Sequence, residues 1–324
     1  MKPDETGPNR GATVSEVAMT QAAGGLASRP FESEADYDLI RRLLVEIVAR
    51  TGPPVYATIG NLDWWRVAED DPRSIYQTQL WFDSGQLVAF AWPIEGQVDI
   101  VVHPDYPPLH NVALAWSETY FAAHAAEGAV APWVAWAFTG DVARIAALSA
   151  RGYRRTERGL VVYGQPVPDP APQPALPDGY TIRAVQGEAE AEQRVAVQRA
   201  AFESTWMTAE RHARVRHSPT YRPELDIVVV APDGEFAAFA LLWLDEANRL
   251  GVFEPLGVAP AYQRLGLGRA LMAEGLRRLA EAGARVACVE TGLDHHTARR
   301  LYEAAGFKLL DTDYAWTRQV EPAA

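Results

Sequence analysis

With 324 residues, 48% of them hydrophobic and 22% charged, the chain is too long for one ordinary core and too apolar for a disordered one, so two globular domains are expected. Its formal net charge of -12 opposes the basic footprint that phosphate-backbone binding needs, which sets nucleic acid aside as a partner and suits a cationic amine. A single cysteine, Cys288, in the apolar run Arg285-Val-Ala-Cys-Val-Glu290, excludes intramolecular disulfides and reads as a buried thiol.

Residues 1–27 mix glycine, alanine, proline and polar types without periodicity, as in a flexible N-terminal tail. Asp4, Glu5, Arg10 and Glu16 leave no apolar run for a secretory leader. The richest apolar stretch, 225–244, is broken by Asp226, Asp233 and Glu235, so no membrane span is expected. The expectation is a cytoplasmic protein, acting as a monomer or homodimer without membrane contact.

From residue 28 the pattern predicts a helix over 33–50, a helical segment over 63–68, and strands over 75–82 and 86–92 joined across Asp83-Ser-Gly. A strand over 97–103, a helix over 111–125, a strand over 132–138, a helix over 141–150 and a strand over 159–163 follow. The alternating prolines of 165–177 favour extended polyproline geometry and cannot donate ladder hydrogen bonds, so they mark a linker. The second half predicts a strand over 180–185, a helix over 188–202 and a second helix capped by Thr208. A hairpin (225–231 with 236–244) turns on Asp233-Gly234. Then come a strand over 251–258, a helix over 266–282, a strand over 285–291, a helix over 297–305 and two closing strands over 307–310 and 314–318.

Both halves run through the same succession. The segment ending Leu-Ser-Ala-Arg-Gly-Tyr153 echoes the one ending Leu-Tyr-Glu-Ala-Ala-Gly-Phe307, as after a duplication. The expected organisation is therefore two α/β domains of one fold, each a mixed and mostly antiparallel sheet flanked by helices, over 28–164 and 178–324.

The sharpest chemical signal is Gly257-Val-Ala-Pro-Ala-Tyr-Gln-Arg-Leu-Gly-Leu-Gly-Arg269, a strand end followed by a glycine-rich entry into a helix. Gly266 and Gly268 let the backbone approach a ligand, and the first-turn amides, unpaired within the helix, point outward at its positive end. That is a cradle for a pyrophosphate, to which Arg264 and Arg269 add charge-assisted contacts. About thirty residues on stands Leu301-Tyr302-Glu-Ala-Ala-Gly306-Phe307.

The pairing of Gln263-x-x-Gly266-x-Gly268 with that second segment resembles the GNAT superfamily of acyl-CoA-dependent N-acyltransferases. The likeness runs through the whole order of elements from Tyr180 to Arg318, and the two-domain arrangement is similar to that of mycothiol synthases and other tandem members. It implies acetyl-CoA as cosubstrate, with no metal. Backbone groups of Leu256, Gly257 and Val258 would pair with the pantetheine arm as if it were another strand, and the 263–269 loop (Gln263, Arg264, Leu265, Gly266, Leu267, Gly268, Arg269) would hold the pyrophosphate. Tyr302 matches the family's tyrosine beside the CoA sulfur, placed to protonate the departing thiolate. Without the likeness it would read as a core aromatic.

An ammonium cannot attack a thioester, so a base or water chain must take a proton. Glu254, an acidic residue in the apolar strand Val252-Phe-Glu-Pro-Leu256, is the candidate, as base or water-orienting residue. Substrate binding or a structural role are its other readings. Relatives place their glutamate two positions earlier, at Val252, and Pro255 suggests a bulged strand. A second departure is His295, where relatives carry asparagine. Its ring could still touch CoA, and no metal-ligand spacing accompanies it.

The first half lacks this chemistry. At the cradle's place it has Val102-His-Pro-Asp-Tyr-Pro-Pro-Leu-His-Asn-Val112, and at the place of Tyr302 it has Leu148. It is therefore a degenerate copy, expected to shape the acceptor pocket or the assembly, with Asp63-Trp64-Trp65 and Leu80-Trp81-Phe82 available to line a cleft, although core packing is the commoner use of such tryptophans. The activity implied is acetyl transfer to the amine of a small molecule. The alternatives are a protein amine as acceptor, or an acetyl-CoA-binding regulatory protein without turnover.

Overall fold

The computed structural model describes residues 25–68, 72–94, 96–124 and 132–319. The expected tail lies outside them up to residue 24, as does residue 125 of the helix expected over 111–125. Leu26 and Ala27 already belong to a strand.

Each half contains the same ten elements. The first runs β1 (Leu26–Pro30), α1 (Glu34–Thr51), α2 (Ile59–Ala68), β2 (Gln79–Asp83), β3 (Gln86–Ile94), β4 (Gln97–Val102), α3 (Leu109–His124), β5 (Pro132–Phe138), α4 (Val142–Ala150) and β6 (Arg154–Pro166). The second runs β7 (Thr181–Ala184), α5 (Ala191–Phe202), α6 (Ala209–Arg216), β8 (Asp226–Val230), β9 (Phe236–Asp245), β10 (Leu250–Val258), α7 (Leu267–Glu281), β11 (Val286–Gly292), α8 (His296–Ala304) and β12 (Lys308–Gln319).

Local sequence explains most of these bounds. Asp36 accepts from the N–H groups of Glu32 (2.8 Å) and Ser33 (3.3 Å) at the start of α1. That helix buries Tyr37, Ile40, Leu43, Leu44, Ile47 and Val48 along one stripe and stops at Gly52, whose φ of 64° suits glycine. Every residue of β9 is buried, which marks it as a strand covered on both faces. On α7, Gly275 presses against Phe253, and a Cβ there would collide with that ring. The helix thereby lies close on β10.

Several expected bounds move. The strand expected over 75–82 begins as a 3-10 turn, Pro72–Gln77, that turns Ile75 inward, so β2 starts at Gln79. Thr58 Oγ1 accepts from the Asn61 N–H at 3.3 Å, which starts α2 four residues before the expected 63. The two closing strands are one, β12, kept continuous across irregularities in its pairing with β6. Gln165 and Pro166, expected in the linker, end β6, where Pro166 occupies the terminal register position and its missing N–H costs little.

The twelve strands of the described residues form one sheet, in the order β1-β2-β3-β4-β5-β12-β6-β11-β10-β9-β8-β7. The halves exchange their last strands. β12 pairs with β5 (Asp313 opposite Phe138 through Gln319 opposite Pro132), while β6 pairs with β11 (Val286 opposite Pro166 through Gly292 opposite Leu160). Between them β6 and β12 pair with each other. Accordingly Val161 and Tyr163, from the first half, are built into the main core of the second.

Helix α2 crosses between the halves. Gly60 packs on Trp243 so closely that a Cβ would sit about 2.5 Å from it. The Trp64 and Trp206 rings meet at 5.6 Å, and buried Asp63 accepts from Tyr37, Arg41 and both donors of Thr220. A buried carboxylate with that many donors ties elements at a fixed distance.

Candidate active site

In the second half, β10 and β11 run parallel and paired from Leu250–Val286 to Phe253–Val289, and then part. Beyond Phe253 the opposite edge of β10 stays paired with β9, through Leu256–Ala240, Gly257–Phe239 and Val258–Ala238, after a register shift. Leu256, Gly257 and Val258 therefore keep one edge directed into the split, where no strand completes the ladder. The bulge expected from Pro255 is present, the Glu254–Pro255 bond is cis, and Trp243 Nε1 donates to the Glu254 carbonyl at 2.6 Å.

At the mouth of the split stand two carboxylates. Glu254 is half-buried and accepts a short hydrogen bond from Asn61 Nδ2, across from α2. Thr58 aims that amide, giving its N–H (2.8 Å) and hydroxyl (2.6 Å) to Asn61 Oδ1, which leaves Nδ2 for the glutamate. Burial pushes the Glu254 carboxyl up to about 7, against the opposing pull of the Asn61 hydrogen bond. Glu290, the first residue of β11 past the paired stretch, is open to the water of the cleft. The enclosing walls, then the charges of Glu254 and Asp99, push it up to about 8.

Tyr302, on α8, is buried beside Tyr163 and Phe307, with ring centroids 6.0 and 6.5 Å away. Burial and the nearby charge of Glu290 push its hydroxyl up to about 12, so it carries its proton at neutral pH. Sequence reasoning singled out Glu254 and Tyr302, and the structure brings both to the region of Glu290. It passed over Glu290 and Asn61. The signal for Glu290 was the same one that marked Glu254, an acidic residue in an apolar strand. For Asn61 there was none.

The 263–269 loop lies at the start of α7. Arg264 (φ 65°) and Gly266 (φ 82°) both take the left-handed conformation, the kind of turn from which backbone nests for anions are built. Leu267, Gly268 and Arg269 follow as the first turn, and Ala270 N–H is the first to bond back, to the Gly266 carbonyl at 3.1 Å. Gln263, Arg264, Leu265, Gly266 and Arg269 are exposed, while Leu267 is buried and anchors the helix. Gln263 Nε2 reaches the Val258 carbonyl at 3.4 Å, linking loop to strand. His295 stands at the N-cap position of α8 without a side-chain capping bond, exposed, with its ring nitrogen Nδ1 on Thr291 Oγ1 at 3.1 Å. Among the described residues no group of histidine, cysteine or acidic side chains is placed to hold a metal.

The first half has the same split: β4 and β5 pair only at Gln97–Val134 and Val98–Ala135. There it is closed by Arg144, only 4% exposed, which donates to the Ile100 carbonyl of β4 (2.5 Å) and the Trp136 carbonyl of β5 (3.2 Å) and lies 3.6 Å over the Tyr56 ring. The equivalent of Arg144 in the second half, four residues before Tyr302, is Ala298. Leu148, in the place of Tyr302, is fully buried. Of the residues available to line a cleft, Trp65 does so. Leu80 and Trp81 do not: they are core residues, Trp81 packed edge-on to Trp116 at 6.0 Å.

Residues 192–307 match the model of the Acetyltransferase (GNAT) family. The chain is 31% identical over 219 residues to a mycothiol acetyltransferase of Salinispora tropica, spanning 65% of this chain and 69% of that one. It is 28% identical over 330 residues to a mycothiol acetyltransferase of Streptomyces scabiei, spanning 93% and 97%. Among solved structures, a tandem GNAT protein from the clavulanic acid biosynthesis pathway superposes with a TM-score of 0.64 at 18% identity, over 92% of this chain and 100% of that one. At that identity the likeness speaks for the fold, and it extends to the tandem arrangement. The doubled α/β elements, the split strands and these relatives agree: the chain belongs to the GNAT family of acetyltransferases.

Proposed function

We propose that the protein moves the acetyl group of acetyl-CoA to the amine of a small molecule, and that it does so only in the second half. The pantetheine arm adds as a strand to the free edge of Leu256, Gly257 and Val258, and the pyrophosphate sits on the nest at Arg264 to Gly266 and the first-turn amides of α7. Arg264 and Arg269 are the nearby cations, and His295 borders the nucleotide side. Glu254 takes a proton from the acceptor ammonium, and the neutral nitrogen attacks the thioester carbonyl. The C–S bond then breaks, the leaving thiolate takes the proton of Tyr302, and the proton that the acetylated nitrogen sheds returns to the tyrosinate to leave a neutral amide. A carboxyl poised at about 7 suits the first transfer, and a tyrosine that keeps its proton suits the second.

The observation that carries this reading is the end of the β10–β11 split on Glu254 and Glu290, with Tyr302 near enough to feel the charge of Glu290. The walls that both halves raise around that point favour a compact acceptor over a protein chain. Thiol release from acetyl-CoA, measured over a panel of amines that includes the acceptor of the mycothiol acetyltransferases, is the test. Turnover that survives Glu254→Gln and Tyr302→Phe together would overturn the assignment.

A further inference from the structure

Each turnover at β10 leaves one proton behind. Tyr302 recovers its own from the new amide, so the proton that Glu254 takes from the ammonium stays on that carboxyl until something removes it. Until then Glu254 cannot act as a base again.

The way out runs past Glu290. The pocket beside Glu254, about 90 Å³ and walled by Pro53, Pro54 and Val252, reaches Glu290. Glu290 also borders the cavity of about 230 Å³ in the split of the first half. Among the described residues it is the one that lines both, and it is exposed to water. At roughly 30 Å³ per molecule, the two volumes have room for about three and about seven waters. The larger is polar enough to keep them: Arg158 and Asp313 line it, and Asp313 Oδ1 is buried without a protein hydrogen-bond partner. Arg144 bars that split to a strand-like ligand by taking the carbonyls of both its strands.

The charged and titratable groups around Glu290 are Glu254 on β10, Asp99 on β4, Asp313 on β12, Tyr302 on α8 and, across the cavity, Arg144 and Arg158. Enclosure first, and then the negative charge of Glu254, hold a proton on Glu290. Neutralising Glu254 therefore loosens the proton of Glu290.

We infer that Glu290 is the relay through which Glu254 returns its proton to water, by way of the cavity in the first half. The inference rests on Glu254 as the base. As Glu254 gains the ammonium proton, Glu290 gives its own to water in the larger cavity. A water in the smaller pocket then takes the proton from Glu254 and passes one to Glu290. Each cycle ends with Glu254 ionised, Glu290 protonated and one proton in bulk water.

Stopped-flow measurement of thiol release at pH 8, above the value of about 7 at which Glu254 titrates, tests it in Glu290→Gln and in the unaltered protein. The variant starts with Glu254 ionised, so its first turnover should match that of the unaltered protein and appear as a burst. Its steady-state rate should then fall by up to roughly 10²-fold, the lower end of what positioned proton transfer contributes. Triethanolamine, a tertiary amine that carries a proton but forms no amide, should restore that rate with rising concentration and leave the unaltered protein unaffected. A steady-state rate equal to the unaltered protein's overturns the relay and spares the catalytic reading. So does a deficit that triethanolamine does not relieve, which is what a structural or acceptor-binding role would give. No thiol release from the unaltered protein with any amine overturns both.

Discussion

Glu254 owes its environment to a residue 193 positions away. The Asn61 amide is the one hydrogen bond that opposes burial and holds the carboxyl down, so Asn61→Ala should raise it further. As a base Glu254 must be ionised, and activity should fall as pH drops through about 7. In Asn61→Ala the acid limb of the kcat/KM profile should move to higher pH, with activity recovered at the alkaline end. A limb that stays in place would show that Asn61 does not act on the base. Tyr302→Phe should lower kcat by roughly 10²–10⁴-fold with little change in acetyl-CoA affinity, the scale of general acid catalysis. The same carboxyl has a stability consequence. A folded-state value raised from 4.5 to about 7 means that stability is fully present below the unfolded value and is lost as pH rises through 7. Glu254→Gln should therefore raise Tm at pH 8 and not at pH 4. An equal gain at both pH values would place the cause in packing instead of charge.

At the scale of elements, the proposed cofactor side is a local pattern in the sequence and the proposed acceptor side is not, for a physical reason. The α7 entry is built from seven consecutive residues, of which Arg264 and Gly266 turn left-handed. A local pattern therefore reports them. Glu290 and Asn61 come from β11 and α2, far from Glu254 in sequence, and only the tertiary fold brings them together. Arg144 was readable in principle, because the doubled succession puts an arginine in one half where the other has Ala298. Its effect should be measurable. Its guanidinium occupies the carbonyls of both parted strands in the first half, and Pro107 and Pro108 precede α3 where amides would be needed. Titration of the intact protein should thus give one acetyl-CoA per chain. Gly266→Val, at a φ of 82°, costs roughly 1–2 kcal/mol of backbone strain in the left-handed region and should weaken that binding while leaving a folded protein. A stoichiometry of two would return a cofactor site to the first half.

For the whole molecule, the repeat in the sequence correctly announces two copies of one fold, but the pattern of strands and helices carries no mark of which copy a last strand joins. In the structure β6 lies between β11 and β12, and β12 lies between β5 and β6. A boundary drawn through the prolines of 165–177 therefore cuts a sheet rather than a tether. A fragment of 177–324 would leave β12, twelve residues long, without either neighbour, and would bare the edge of β11. It would also lose Val161 and Tyr163 from its core, along with the hydrogen bonds of the Tyr163 hydroxyl to Glu303 (2.9 Å) and from Arg299 (3.2 Å). Unpaired edges of that length invite association with other chains, and the loss of two large buried side chains costs several kcal/mol, on the order of a domain's net stability. The expected outcome is that 177–324 aggregates or fails to melt cooperatively, while 154–324, which keeps β6, gives a soluble species with a cooperative transition well below that of the intact chain. Neither should match the intact protein's kcat/KM, since Asn61, the hydrogen-bond partner of Glu254, is absent from both. Circular dichroism melts and light scattering on the three proteins decide it. A 177–324 fragment that melts sharply near the intact Tm would mean that the exchanged strands are dispensable and that the halves fold as separate domains.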